Sequence, residues 1–342
     1  MLELYKNIEN CNPDAQNVVL TVLDGEAFGE KALVSDGQLL WESKEHGFFT
    51  GHKEALKQRF NESLTVIDGS KLFCDSLGQE KHLVICGGGH VSIPIIQIGI
   101  MMGGEVTVLE DRPQFADNAR RAGASNVICE PFEDGLDKIT GNEDTFFVIV
   151  TRGHRYDQVC LERIAKKKHA YIGMIGSKLR VRKVKETLLE RGSDRAILDQ
   201  VYTPIGLDIG AETPAEIAVA IMAEIIEVKN KKKRNYGYSK ELMKAILDVD
   251  SYPGSKVLAT IVTRHGSAPR GAGTKMLILH DGKTIGTIGG GCMESDVLQK
   301  ALLMIRSESR EPRVCHVDMT GKDAEDEGMV CGGVVDVLLE VI

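Results

Sequence analysis

The chain has 342 residues, of which 42% are hydrophobic and 27% charged, enough apolar material for the cores of two or three ordinary domains. Lys and Arg number 42 against 50 Asp and Glu, and the net charge of −8 argues against nucleic acid or an anionic membrane surface as a partner. Eight cysteines, at 11, 74, 86, 129, 160, 292, 315 and 331, contain no CxxC pair, which argues against a zinc ribbon or a disulfide framework and predicts reduced, mostly buried thiols.

The amino-terminal stretch MLELYKNIENCNPDAQ carries acids where a signal peptide needs an apolar run, and the chain is read as cytoplasmic. Residues 1–79 form a first segment. VVLTVLDG (18–25), GEKALVSDGQLLW (29–41) and a helix from His52 to Phe60 run parallel to VLATIVTRHG (257–266), GTKMLILHDGKTIG (273–286) and a helix at 293–305 further on. Gly29, Lys31, Leu33, Asp36 and Gly37 align with Gly273, Lys275, Leu277, Asp281 and Gly282 after a one-residue gap. Hairpins with Asp-Gly turns also coincide by chance, so duplication and coincidence both stand at this point. If duplicated, the first copy keeps the scaffold without the chemistry, because it has neither GSAPR nor GGGC, and it is expected to pack on its C-terminal counterpart in the same or a partner chain.

From about residue 80 to Val228 short apolar runs alternate with longer amphipathic segments, the pattern of successive βαβ units in a doubly wound parallel sheet. Strands are predicted at 82–86, 105–109, 125–129, 145–150 and 170–174, with helices near 91–102, 113–122, 156–168 and 178–191. Thr213-Pro214-Ala215-Glu216 opens a closing helix with a cap residue, a proline at its first position and a reciprocal glutamate. Residues 229–240, KNKKKRNYGYSK, read as a solvated linker. Residues 241–342 then form an α+β domain: a helix at 239–249, alternating β patterns from Lys256 to Ile288, a helix at 293–305 and a strand at 333–341.

Gly87-Gly88-Gly89-His90-Val91-Ser92 follows the first parallel strand and opens a helix, the context of a Rossmann dinucleotide fingerprint, although Ser92 replaces the third glycine. Free amides there suit a phosphate, and Glu110 ends the second strand where a carboxylate can accept from ribose hydroxyls. An empty crevice or another anion is the alternative. Arg152 and Arg155 after the fourth strand and Gly176-Ser177 after the fifth face the same crevice, as an anion clamp or as a solvated loop. His154 serves equally as an acid or base and as a hydrogen-bonded loop residue.

In the last domain Gly266-Ser267-Ala268-Pro269-Arg270, Gly289-Gly290-Gly291-Cys292 and Cys331-Gly332-Gly333 are glycine-bordered loops. Cys292 enters a helix through a glycine turn, so the macrodipole favours its thiolate, while Glu294 opposes it and Arg270 would help. Cys292 and Cys331 are therefore candidate reactive thiols, with small buried packing at turns as the other reading. No metal site is expected.

GSAPRGAGTKML, GTIGGGCMES and GMVCGG, with LVICGGGHVSIPI, VLEDRPQFA, YIGMIGSKLR and PIGLDIGAETPAEIA, resemble the xanthine dehydrogenase accessory protein family, XdhC/CoxI, over residues 81–228 and 256–340. Members of that family usually carry the GSxPR and GGGC segment before the Rossmann domain. Here it follows, with the degenerate copy in front. The resemblance implies a Rossmann-like domain plus an α+β XdhC/CoxI domain, in a maturation factor that binds the molybdenum cofactor as cargo for sulfuration by a cysteine desulfurase and insertion into a molybdenum hydroxylase. It also implies Arg270, Gly289, Gly290, Gly291, Cys292, Glu294, Cys331, Gly332 and Gly333 around the cofactor, and Gly87, Gly89, His90 and Glu110 in the Rossmann site. A homodimer is expected, with one chain's C-terminal domain meeting a partner's Rossmann domain. The competing readings are an NAD-dependent oxidoreductase and a nucleotide-binding sensor.

Overall fold

In the computed structural model, which describes residues 1–12, 15–60, 62–78, 82–231, 237–268, 270–307, 310–318 and 333–342 except for the side chain of Cys292, the chain opens with helix α1 (Leu2–Glu9). An antiparallel sheet follows, made of β1 (Asn17–Val22), β2 (Lys31–Ser35), β3 (Gln38–Glu42), β4 (Leu64–Ile67) and β5 (Ser70–Leu77) in the order β3-β2-β1-β5-β4. Asp36-Gly37 and Asp68-Gly69 make its tight turns, each with both residues at positive φ, the backbone that two-residue hairpins need. The helix expected over His52–Phe60 is not formed. A four-residue helix α2 (Phe48–Gly51) and a 3-10 segment (Lys53–Lys57) stand there instead, each too short to repay the nucleation of a longer helix.

Residues 79–234 are a separate unit. Its strands β6 (His82–Cys86), β7 (Glu105–Leu109), β8 (Asn126–Ile128), β9 (Thr145–Ile149) and β10 (Tyr171–Met174) are all parallel, in the order β10-β9-β6-β7-β8. Helices α3 (Ser92–Met101), α4 (Pro113–Arg121), α5 (Phe132–Asp137), α6 (His154–Ile164), α7 (Lys178–Glu190), α8 (Arg195–Asp199) and α9 (Pro214–Lys231) surround them. One core, with Ile85, Ile95, Val148 and Ile221, lies under α3 and α9; a second, with Val84, Phe147, Cys160 and Leu188, lies under α5, α6 and α7. This is the expected doubly wound fold, with its strand order reversing between β6 and β9, where such sheets open a crevice. The cap on α9 forms as read: Glu216 accepts from the amide of Thr213, and its own amide donates to the Thr213 hydroxyl. α9 runs on through Lys231, so the first residues of the predicted linker are helical, and residues 232–236 lie outside the described set.

The last stretch holds α10 (Lys240–Leu247), β11 (Val257–Gly266), β12 (Lys275–Ile278), β13 (Thr284–Gly286), α11 (Gly291–Arg306), β14 (Arg313–Asp318) and β15 (Gly333–Val341), ordered β13-β12-β11-β15-β14. Strand for strand this is the order of the first sheet, and the registers agree: Thr21 faces Lys31 as Thr260 faces Lys275, and Val19 faces Asp75 as Leu258 faces Glu340. The duplication extends to the leading helices, where Glu3-Leu4-Tyr5-Lys6 and Ile8 match Glu241-Leu242-Met243-Lys244 and Ile246.

The two copies form one unit, residues 1–78 with 235–342. Each sheet buries one face under its own α2 or α11; the other face is covered in part by the leading helices α1 and α10 and in part meets its counterpart. Phe73, Val262, Leu338, Leu23, Phe28 and Ala272 make a cluster whose members pair off as equivalents, Phe73 with Leu338, Leu23 with Val262 and Phe28 with Ala272. Lys31 Nζ lies 2.9 Å from Glu340 Oε2 and Lys275 Nζ 2.6 Å from Asp75 Oδ2, all four side chains at most 5% exposed. The copies are thus related by a pseudo-twofold, with reciprocal ion pairs across it. Among the described residues, no helix is long and apolar enough to cross a membrane.

Candidate functional site

The first candidate site is the crevice of the parallel sheet. Gly87 has φ +116°, and a Cβ there would stand 2.6 Å from the Val150 carbonyl oxygen, so the loop hugs the end of β9 and only glycine fits. Ser92, standing where the fingerprint has its third glycine, is fully buried and donates its hydroxyl to the Gly87 carbonyl at 2.6 Å. The amides of Gly89, His90 and Val91 have no hydrogen-bond partner among the described residues and stand just ahead of α3.

Glu110, 1% exposed, is placed as expected at the end of β7 but is engaged within the protein. It accepts from the Gly88 amide at 2.7 Å, the Arg112 amide at 3.1 Å, and Arg112 Nε and Nη2 at 2.8 and 3.0 Å. Those four bonds use the acceptor capacity of a carboxylate, so Glu110 clamps the glycine loop and has no lone pair left for a ribose hydroxyl. Arg152 is held by a bidentate pair with Asp111 and a 2.5 Å bond to the Tyr156 hydroxyl, and that pairing holds the Asp111 carboxyl below the usual range. Arg180 pairs with buried Asp157 at 2.9 Å, which also accepts from Thr151 at 2.5 Å; burial outweighs both and raises the Asp157 carboxyl. His154 and Arg155 are exposed in the first turn of α6, His90 is exposed at the loop, and Ser177 caps α7 after Gly176. A 410 Å³ cavity opens elsewhere, beside the first half of β10, lined by His169, Tyr171, Asp199 and Tyr202, and contains none of the predicted residues.

The second candidate site is one end of the C-terminal sheet. Because β11 runs toward that end, β12 away from it and β13 toward it again, the GSAPR loop and the glycine turn before α11 both start there. β15 begins at the same end: Gly266 pairs with Gly333, and a Cβ on Gly333 would strike the Ser267 carbonyl oxygen. Gly289, Gly290 and Gly291 all have positive φ, a run closed to other residues. Glu294 acts on this turn, accepting from the Thr287 hydroxyl at 2.6 Å and the Gly290 amide at 2.9 Å. Arg270 is exposed. Cys331, Gly332 and the Cys292 side chain lie outside the described residues.

The same end holds a polar row that sequence reasoning missed. Asp336 on β15 accepts from Thr263 on β11 at 2.5 Å and lies 2.7 Å from His316 Nδ1 on β14, so three neighbouring strands contribute one side chain each. An extra residue in β11 between Ile261 and Thr263 shifts the register and turns Thr263 onto Asp336, a re-aiming that bulges perform beside active sites. The His316 side chain is 65% exposed, and its Nε2 makes no hydrogen bond among the described residues. Cys315, beside it in sequence, points into the α11 core, where burial raises its thiol, so the two cannot act together. In the N-terminal copy the equivalent positions are Val66 for His316 and Lys71 for Asp336, so the row is absent from the copy without the glycine loops.

Burial alone would raise the Asp336 carboxyl, but bonds from Thr263 and His316 bring it below its ordinary value. A depressed carboxyl stabilises the fold above its unfolded value, about 3.9, and that contribution fades as pH falls through the lower, folded value. Asp336→Asn is therefore expected to lose stability at neutral pH and to soften the acid limb of the unfolding curve, measured by urea midpoints from neutrality down to the acid transition. An unchanged acid limb would show that the row is not coupled to folding.

Residues 83–225 match a family model described as the XdhC Rossmann domain, and residues 254–318 one described as the XdhC and CoxI family. Among curated proteins, the uncharacterised protein YqeB of Escherichia coli K12 is 28% identical over 160 residues, covering 46% of this chain and 29% of that protein. A probable xanthine dehydrogenase subunit of Bacillus subtilis 168 is 26% identical over 162 residues, 47% of each. The chain spans less than half the length of these two relatives. A solved structure described as a xanthine dehydrogenase from Bacillus halodurans aligns with a TM-score of 0.50 at 24% identity, covering 67% of this chain and 63% of that one, a likeness of fold.

Proposed function

Because the chain belongs to the XdhC and CoxI family, with its Rossmann region ahead of the XdhC/CoxI region, we propose that it is an accessory factor for a molybdenum hydroxylase of the xanthine dehydrogenase type. Its cargo is the molybdenum cofactor, taken up for sulfuration by a cysteine desulfurase and handed to the hydroxylase. The observation that carries this reading is the convergence of the GSAPR loop, the triple-glycine turn and Gly333 at one end of the C-terminal sheet. The Gly289 and Gly290 amides are held by Thr287 and Glu294, so the turn presents the first amides of α11 to a pterin phosphate, Arg270 adds a cation, and Cys292 and Cys331 bring soft sulfur ligands into the same sequence segments. His316, oriented by Asp336, supplies a group able to accept or return a proton.

The test is anaerobic incubation of the purified chain with released cofactor, gel filtration, and assay of the protein peak for pterin fluorescence and molybdenum. Co-elution near one per chain, reduced by Cys292→Ala and by Arg270→Ala, is the expected result. Absence of co-elution where a known cofactor carrier succeeds would overturn the reading. A nucleotide such as NAD in the crevice is the second reading, favoured by the open amides of Gly89, His90 and Val91. Saturation of Glu110 within the protein argues that such a ligand is held by its phosphates rather than by its ribose.

A further inference from the structure

The two copies have diverged unevenly. The glycine loops and the Thr263-Asp336-His316 row occur only in the second copy, yet both keep a buried lysine at the same position of their second strand and an acid at the same position of their last, Lys31 with Asp75 and Lys275 with Glu340. Each lysine reaches the acid of the other copy. The threonine opposite each lysine is retained as well, and Thr21 accepts from Lys31 at 2.8 Å.

A face that carries both halves of a reciprocal contact is complementary to itself. We infer that the inner face of the C-terminal sheet is a self-complementary pairing surface, whose fitting partner is a second copy of the C-terminal domain, and that residues 1–78 occupy it within the chain in that partner's place. In a pair of C-terminal copies, Lys275 of each would meet Glu340 of the other, and Leu338 of each would stand where Phe73 now meets Leu338. The consequence for this chain is a sandwich with one equipped end instead of two. A contact of this kind is isologous, so it closes on itself and does not propagate into a filament.

The test uses the full chain. Lys31→Glu with Asp75→Lys sets like charges against Glu340 and Lys275 and leaves the C-terminal face intact. The expected result is a molar mass, by light scattering after size exclusion, twice that of the unmodified chain at the same concentration. Adding Lys275→Glu and Glu340→Lys restores complementarity within the chain and should return the original mass. Leu338→Cys placed on the doubly reversed chain should give an intermolecular disulfide on mild oxidation. A doubly reversed chain that folds and keeps the original mass overturns the inference, and so does association without cross-linking at residue 338. Cofactor binding plays no part in these readouts, so their failure leaves the proposed function standing.

Discussion

Lys275→Ala is expected to destabilise the unit formed by the two copies by about 3–5 kcal/mol, the cost of leaving one partner of a buried ion pair uncompensated. Lys275 and Asp75 are each 3% exposed and 2.6 Å apart, and the second oxygen of Asp75 is buried with no hydrogen-bond partner in the described structure, so nothing else stands ready to hold the carboxylate. Lys275 also donates to the Gly273 carbonyl at 3.1 Å and lies 4.5 Å from the Tyr238 ring centroid, so its loss removes cation–π and backbone contacts together. Trp41, the single tryptophan, is half-buried on β3 beside the inner cluster of Leu4, Val19 and Leu33 and reports on this unit during urea unfolding. The paired change Lys275→Met with Asp75→Leu should recover most of the loss, because an apolar pair of similar volume needs no charge compensation. A single substitution costing under about 1 kcal/mol, the range of an exposed pair, would show that water reaches the contact.

Glu110→Ala is expected to cost about 2–3 kcal/mol in the parallel-sheet unit and to release the glycine loop. Gly88 is buried, and its amide has the Glu110 carboxylate as acceptor; removing that group strands a donor and frees Arg112, whose guanidinium lies 3.7 Å from the Phe115 ring centroid. Hydrogen exchange read by mass spectrometry should show the segment from Cys86 to Ser92 losing protection while β9 keeps it. Glu110→Gln should fall between the two, since the amide can still accept from Gly88 but turns a donor toward Arg112. Unchanged exchange at the loop would mean that the backbone bond from the Gly87 amide to the Leu109 carbonyl suffices to hold it.

The parallel sheet was legible because its strands are continuous apolar runs between amphipathic helices, and the five predicted strands differ from the observed ones by at most a residue at either end. Short elements were not: α5, α8, β4, β5 and β14 lack a long periodic stripe, whereas the strand predicted at 333–341 is β15 to the residue. Duplication was visible in the Lys31 and Lys275 alignment, but the match of α1 with α10 rests on a few identical side chains in a helix too short to stand out. Site residues were half legible. Glycines at Gly87 and at 289–291 announce themselves because backbone geometry forbids anything else, whereas Glu110 carried the right position and a different employment, and the Thr263-Asp336-His316 row exists only through register, which a linear pattern does not encode.

The interruption of one unit's sequence by that of the other, residues 79–234, bears on how the protein is made. When residues 1–78 leave the ribosome, the inner face of their sheet, with Val19, Leu33 and Phe73, has no counterpart, because β11 and β15 are encoded beyond residue 250. At roughly 5–20 residues per second the counterpart arrives on the order of ten seconds to a minute later. Residues 79–234 can close their own cores during that interval, so the order of completion is inside first and outside last. The nascent amino-terminal sheet is thus a natural client for a holding chaperone, and a ribosome stalled before β15 would present it indefinitely.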